Sequence, residues 1–145
     1  MQAQRQGLAR LDAHMLLLHS LGRSQHDRAW LLAHDDDALP ADTLVRYQAL
    51  CQQRAAGVPL AYLTGHKQFY GLELAVDARV LDPRPDTETL VDWALHVIAQ
   101  LPSPRIADLG TGSGAIALAL QSQRPTARVI AVDASADALA VARSN

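Results

Sequence analysis

The residues best suited to chemistry fall in one short segment, Asp108-x-Gly110-x-Gly112-x-Gly114. Glycine lets a chain turn sharply after a strand and lets a ligand lie directly against the backbone. A helix that follows such a loop aims its free N–H groups into it. Asp133 closes the next apolar run, 25 residues after Asp108. In doubly wound folds a carboxylate there accepts hydrogen bonds from both ribose hydroxyls of an adenosine. At average usage, with Gly at about 7% and acidic residues at about 12%, an acidic residue ahead of xGxGxG arises in a chain of this length roughly 0.6% of the time. The bland alternative is a glycine turn that only permits close helix–strand packing. The functional rival is a nicotinamide-binding loop, because Gly110, Gly112 and Ala115 satisfy GxGxxG/A. Asp108 separates the two ligands. A dinucleotide brings a doubly charged pyrophosphate over this turn, and a carboxylate two residues before the first glycine repels it. S-adenosylmethionine has no phosphate, and its methionine end carries an ammonium and a sulfonium that Asp108 attracts. The expected cofactor contacts are Asp108, Gly110, Thr111, Gly112, Ser113, Gly114 and Asp133.

The elements around the loop read as a βαβα unit, the opening of a doubly wound parallel sheet. Residues 106–109 form a short apolar strand, and residues 115–121 a helix. Residues 128–132 are a continuous apolar run, as expected of a strand covered on both faces. Ser135 caps a helix that continues to Asn145. Upstream, Leu72, Leu74 and Val76 alternate with Glu73 and Ala75 as a half-buried strand does, with Gly71 turning it back on residues 66–70. A further strand is expected at residues 79–82. Pro83 and Pro85 bracket Arg84 in a stiff loop, and Asp86, Thr87 and Glu88 start a helix with acid at its positive end. Leu90, Val91, Ala94, Val97, Ile98 and Leu101 continue that helix's apolar face.

Residues 3–56 read as helical. Leu8, Leu11, Met15 and Leu18 build one apolar stripe, and Gly22 stops the first helix. A short helix follows Asp27. Pro40 opens a third, with Leu44, Gln48, Cys51 and Ala55 along one face and Gly57 at its end. Asp35, Asp36 and Asp37 read as a solvated loop. Trp30 and Cys51 read as core of this helical part, and Trp93 as packing. Phe69 and Tyr70 read as hairpin packing or as a wall facing substrate. The expected divisions are a helical docking domain at 1–75, a hairpin and linker at 76–104, and a truncated cofactor-binding α/β domain at 105–145.

The chain has 145 residues, with 13 Lys and Arg against 15 Asp and Glu for a net charge of −2. It is 49% hydrophobic and 19% charged, a globular composition. The near-neutral balance argues against a dedicated nucleic-acid binder. Ala (26) and Leu (23) dominate, so the core is aliphatic and helix-rich. One cysteine excludes an internal disulfide framework and any multi-thiolate metal site. The six histidines have no ligand spacing, so no metal is expected. No apolar run approaches the roughly 18–20 residues that span a bilayer. The first residues lack the apolar stretch and cleavage site of a signal peptide. A cytoplasmic protein is expected.

Four stretches carry a closer resemblance. Residues 57–70, GVPLAYLTGHKQFY, 80–88, VLDPRPDTE, 108–120, DLGTGSGAIALAL, and 130–145, IAVDASADALAVARSN, resemble the peptide chain release factor N5-glutamine methyltransferases, the PrmC/HemK family. The resemblance runs from about residue 10 to the end. PRPDTE is its most specific part, since the sister family that methylates a ribosomal-protein glutamine differs in that loop. Asp82 departs from the aliphatic residue the family more often has before PRP. The family also carries Asn-Pro-Pro-Tyr at the end of a later strand, which this sequence does not reach. In the family that Asn and an adjacent carbonyl accept the two N–H bonds of the substrate amide, and catalysis is mostly positioning.

The resemblance implies a class I, Rossmann-like methyltransferase that moves a methyl group from S-adenosylmethionine to the glutamine of the GGQ motif in class 1 release factors, in translation termination. Arg84, Thr87 and Glu88 are the expected substrate-side residues, with Arg84 and Glu88 free to pair with each other. No catalytic residue is expected within the 145 residues, which read as an N-terminal fragment inactive alone. The rivals are a non-catalytic release-factor docking module and a nicotinamide-dependent oxidoreductase.

Overall fold

The computed structural model describes residues 7–145. The helical reading at residues 3–6 lies outside them. The chain divides into two units, the first ending at Thr64 and the second running Gly65–Asn145.

The first unit is helical: α1 (Arg10–Ser20), α2 (Arg28–Ala33), α3 (Ala41–Ala55) and α4 (Leu60–Thr64). Glycine ends both long helices. Gly22 donates to the His19 carbonyl and Arg23 to Leu18, and Gly57 and Val58 repeat the pattern on Arg54 and Gln53. Both are Schellman closures, and each needs the positive φ that glycine adopts without strain. The core joins Leu8, Ala13, Leu16 and Cys51, with Tyr47, Leu50, Leu60 and Leu63 against it. Cys51 is therefore a small core residue, as its position on an apolar helix suggested.

The inward faces are turned relative to the expected stripes. On α1, Leu11 is exposed while Ala13, Leu16, Leu18 and Ser20 are buried. On α3, Leu44 and Ala55 face solvent, and Thr43 and Cys51 face in with Tyr47. The leucine run at 16–18 makes several stripes equally apolar, and neighbouring helices decide among them. Arg54 fixes the pairing of α1 and α3 through a 2.7 Å ion pair to Asp12. Trp30 is half-buried rather than core. Its ring stacks on His34 at 4.1 Å and carries the Arg23 guanidinium at 3.9 Å. Leu16→Ala is therefore expected to cost about 2–5 kcal/mol, and Leu11→Ala well under 1 kcal/mol by ordinary surface behaviour. Urea unfolding of the two variants checks the assignment, and the reverse order would contradict it.

The second unit begins with an antiparallel hairpin, β1 (His66–Phe69) and β2 (Leu72–Ala75). Tyr70 (φ 49°) and Gly71 (φ 78°) are both left-handed, the geometry of a two-residue turn that matches strand twist. A single helical turn at Pro85–Thr87 leads into α5 (Glu88–Val97). Then come β3 (Arg105–Leu109), α6 (Ala115–Gln123), β4 (Arg128–Val132) and α7 (Ala136–Ser144). β3 and β4 pair in parallel, Ile106 opposite Val129 and Leu109 opposite Val132. This is the expected βαβα unit. The core joins Phe69, Leu74, Val91, Ala115, Ala119 and Leu120.

Four expectations change here. The hairpin packs with Val91 and Ala115, so the helical unit closes at Thr64 and not at 75. Residues 79–82 form no strand, because they bend through a turn in which Val80 N–H bonds the Asp77 carbonyl. β4 is not covered on both faces among the described residues, since Ile130 is 58% and neighbouring Leu109 77% exposed. Only Val91 of the expected α5 face is buried, while Leu90, Val97 and Leu101 are exposed, as is Trp93 at 63%. No described helix is long and apolar enough to cross a membrane.

Candidate functional site

The glycine loop between β3 and α6 is built on the end of β4. Gly110 and Thr111 both donate their N–H groups to the Val132 carbonyl, at 2.7 and 2.9 Å. Three glycines take positive φ there, 79° at Gly110, 56° at Gly112 and 82° at Gly114. They serve different ends. A Cβ on Gly110 or Gly112 would meet nothing within 4 Å, whereas one on Gly114 would lie 3.3 Å from Ala142 Cβ and Leu118 Cδ1. Gly114 is therefore needed for packing α6 on α7. Gly110 and Gly112 leave open space along the loop, where a ligand can reach the backbone.

Both carboxylates address this loop. Asp108, half-buried at the end of β3, accepts the Thr111 hydroxyl at 2.7 Å. Asp133 follows β4 and accepts the Gly112 N–H on one oxygen and the Ser135 N–H on the other, each at 2.9 Å. The Ser135 N–H and then the Gly112 N–H hold the Asp133 carboxyl below its ordinary value. Ser135 in turn caps α7, its hydroxyl accepting Ala138 N–H at 3.1 Å. Thr111 and Ser113 are both buried, and the Thr111 carbonyl accepts the Gly114 N–H at 2.9 Å.

Arg84, Thr87 and Glu88 are not bonded to this constellation. Glu88 accepts the Tyr70 N–H at 2.8 Å and so fixes the hairpin turn. Arg84 lies 3.8 Å from Asp82 and does not pair with Glu88. Asp82, buried, also lies 3.1 Å from the Lys67 ammonium, which accounts for its charge at that place. Thr87 N–H closes the short helical turn onto the Arg84 carbonyl. Phe69 is core, and the Tyr70 hydroxyl donates to Asp92 at 2.6 Å, which raises its pKa. Among the described residues no group of three His, Cys, Asp or Glu side chains could hold a metal ion.

Two contributions escaped the sequence reading. Asp133 holds the loop itself, and Asn145 reaches it through Ser113. Neither has a local signal, since both act across the fold.

Residues 1–65 match the PrmC N-terminal domain, and residues 87–145 match the methyltransferase small domain. The chain thus carries a PrmC-type N-terminal domain ahead of a methyltransferase small-domain segment. Relatives named release factor glutamine methyltransferase are similar along nearly all of this chain. The protein from Bordetella pertussis is 51% identical over 139 residues, 96% of the chain and 50% of its own length. The Xylella fastidiosa protein is 49% identical over 138 residues, 95% of the chain and 49% of its own. The Escherichia coli protein is 44% identical over 144 residues, 99% of the chain and 50% of its own. The chain thus spans about half the length of these curated relatives. Its βαβα unit lies inside the methyltransferase match, so the loop described above is part of a Rossmann-like methyltransferase domain.

Proposed function

We propose that this chain carries the cofactor loop of a cytoplasmic enzyme that methylates the side-chain amide of the GGQ glutamine in class 1 release factors. The helical unit is proposed as the docking surface for the release factor, with no direct nucleic-acid contact. The observation that carries the cofactor part is the approach of two carboxylates, Asp108 and Asp133, to one open glycine loop.

The donor set fits S-adenosylmethionine. Asp108 uses one oxygen on Thr111 and offers negative charge beside the loop, which suits an ammonium and opposes a pyrophosphate. Asp133 keeps acceptor capacity on both oxygens after its two N–H bonds, enough for a ribose diol. Gly110 and Gly112 leave the backbone bare where the ligand would lie. Asp108, the backbone of residues 110–114 and Asp133 would hold the cofactor, which when bound supplies an electrophilic methyl group. The chain's own work is to orient and to hold charge. Val132 and Asp133 fix the loop, so little reorganisation is left for binding. Arg84, Thr87 and Glu88 are proposed to shape the substrate side, Glu88 through the hairpin turn it fixes.

The test uses the natural full-length protein with methyl-labelled S-adenosylmethionine and a release factor bearing GGQ or GGE. Label on the glutamine form alone supports the reading. Label on neither, or on both alike, would remove the glutamine amide as the acceptor.

A further inference from the structure

We infer that Asn145 is a positioning residue that sets the glycine loop by clamping it to the edge of the hairpin. This rests on the proposed cofactor site. The Asn145 side chain is fully committed. Its Oδ1 accepts the Ala75 N–H at 2.7 Å, and its Nδ2 donates to the Ala75 carbonyl at 3.1 Å and the Ser113 carbonyl at 2.9 Å. Both amide hydrogens are used, and the reversed amide would set oxygen against two carbonyls.

Ala75 is available for a reason. Val76 donates to Gly65 on the β1 side of the hairpin. In an antiparallel pair the neighbouring residue then turns its N–H and C=O outward. The outer edge of β2 therefore presents one donor and one acceptor, and the primary amide of Asn145 matches both as a neighbouring strand would. What remains of that amide is a single N–H, aimed at Ser113.

Ser113 sits between the left-handed Gly112 and Gly114, where conformational freedom is greatest. Space in front of Gly112 is open, so packing does not fix the loop there. Hydrogen bonds must do so. Asp133 holds the N–H of Gly112, and Asn145 holds the carbonyl of Ser113, the next residue. The two side chains come from opposite ends of α7 and its approach, which makes that helix the loop's support.

Only Asn meets these demands at this reach. Asp has no donor and would face two carbonyls with negative charge. Ala offers nothing. In the natural full-length protein, Asn145→Ala should speed amide exchange at Gly112 and Gly114 without cofactor, leaving Val91 and Leu120 amides unmoved. Asn145→Asp should do so more strongly. Affinity for S-adenosylmethionine should fall about tenfold in either variant, as for a lost bond to a positioned group, with KM for the release factor unchanged. Should Asn145→Asp fail to fold, the exchange pattern of Asn145→Ala decides. Unchanged exchange at Gly112 and Gly114 would overturn the inference, and so would a uniform rise across the second unit. Because exchange is read without cofactor, failure of the unaltered protein to bind S-adenosylmethionine would sink the proposed function separately.

Discussion

Asp133→Ala should weaken S-adenosylmethionine binding by about a hundredfold or more in the natural full-length protein. In the proposed site the carboxylate carries two charge-assisted hydrogen bonds to ribose, each worth about 1.5–3 kcal/mol. The structure adds a second loss, because the same carboxylate holds Gly112 N–H at 2.9 Å. Removing it frees the loop as well as the ribose. Asp133→Asn should be milder. One of its two acceptors survives, but an NH2 then faces either Gly112 N–H or Ser135 N–H. Calorimetric titration of the three proteins gives the order, and equal affinities would take Asp133 out of the site. The pH dependence has a definite sign. The folded carboxyl titrates below its ordinary value of 3.8, held there by the Ser135 and then the Gly112 N–H. Its contribution is complete above that ordinary value and is lost as pH falls through the lowered one.

Gly114 and Gly110 should respond differently to the same added methyl group. At Gly114 the left-handed backbone costs about 1–2 kcal/mol for any side chain. The new Cβ also lies 3.3 Å from Ala142 Cβ and Leu118 Cδ1, tighter than ordinary contact. Overpacking of this kind adds about 1–3 kcal/mol. Gly114→Ala should therefore destabilise the second unit by about 2–5 kcal/mol. Gly110→Ala pays only the backbone term, since its Cβ meets nothing within 4 Å. Its effect should fall on binding, because that Cβ occupies the space a ligand would use. Thermal melts and cofactor titrations on both variants separate packing from approach. Equal destabilisation, with cofactor binding intact in Gly110→Ala, would contradict the division.

The sequence made the local features legible and left the long-range ones hidden. Helix stops at Gly22 and Gly57, the turn at Gly71, the cap at Ser135 and the glycine loop are all local. Each rests on a backbone conformation or a local side-chain bond that particular residue types favour, so each was readable. The parallel pairing of β3 with β4 followed from the βαβ pattern. What failed depended on neighbours. With 26 Ala and 23 Leu in the chain, apolar positions outnumber those that can be buried. Periodicity alone could not say that Leu16 faces in and Leu11 out. Leu90 likewise fits an apolar face by spacing and Trp93 reads as packing, yet both are exposed. A division at 75 leaves the hairpin with the helical part. Phe69 and Leu74 instead bury against α5 and α6.

In the candidate site, residue types were readable and their bonding was not. Asp108, the three glycines and Asp133 were all expected. That Asp133 would hold Gly112, and Asp108 the Thr111 hydroxyl, depends on the register of β3 against β4. Glu88 accepts the N–H of the strained Tyr70 turn, 18 residues back in the chain, a bond that no local pattern announces. Asn145 looked like the end of a helix. Its partners, Ala75 and Ser113, are 70 and 32 residues away.

The central claim is that the loop between Asp108 and Asp133 takes S-adenosylmethionine and rejects a dinucleotide. Titrating the natural full-length protein with S-adenosylmethionine and with NAD in one calorimetric series tests it most directly. Saturable binding of S-adenosylmethionine, lost in Asp108→Ala and undisturbed by excess NAD, is the expected result. Tight NAD binding that S-adenosylmethionine cannot displace would contradict the claim.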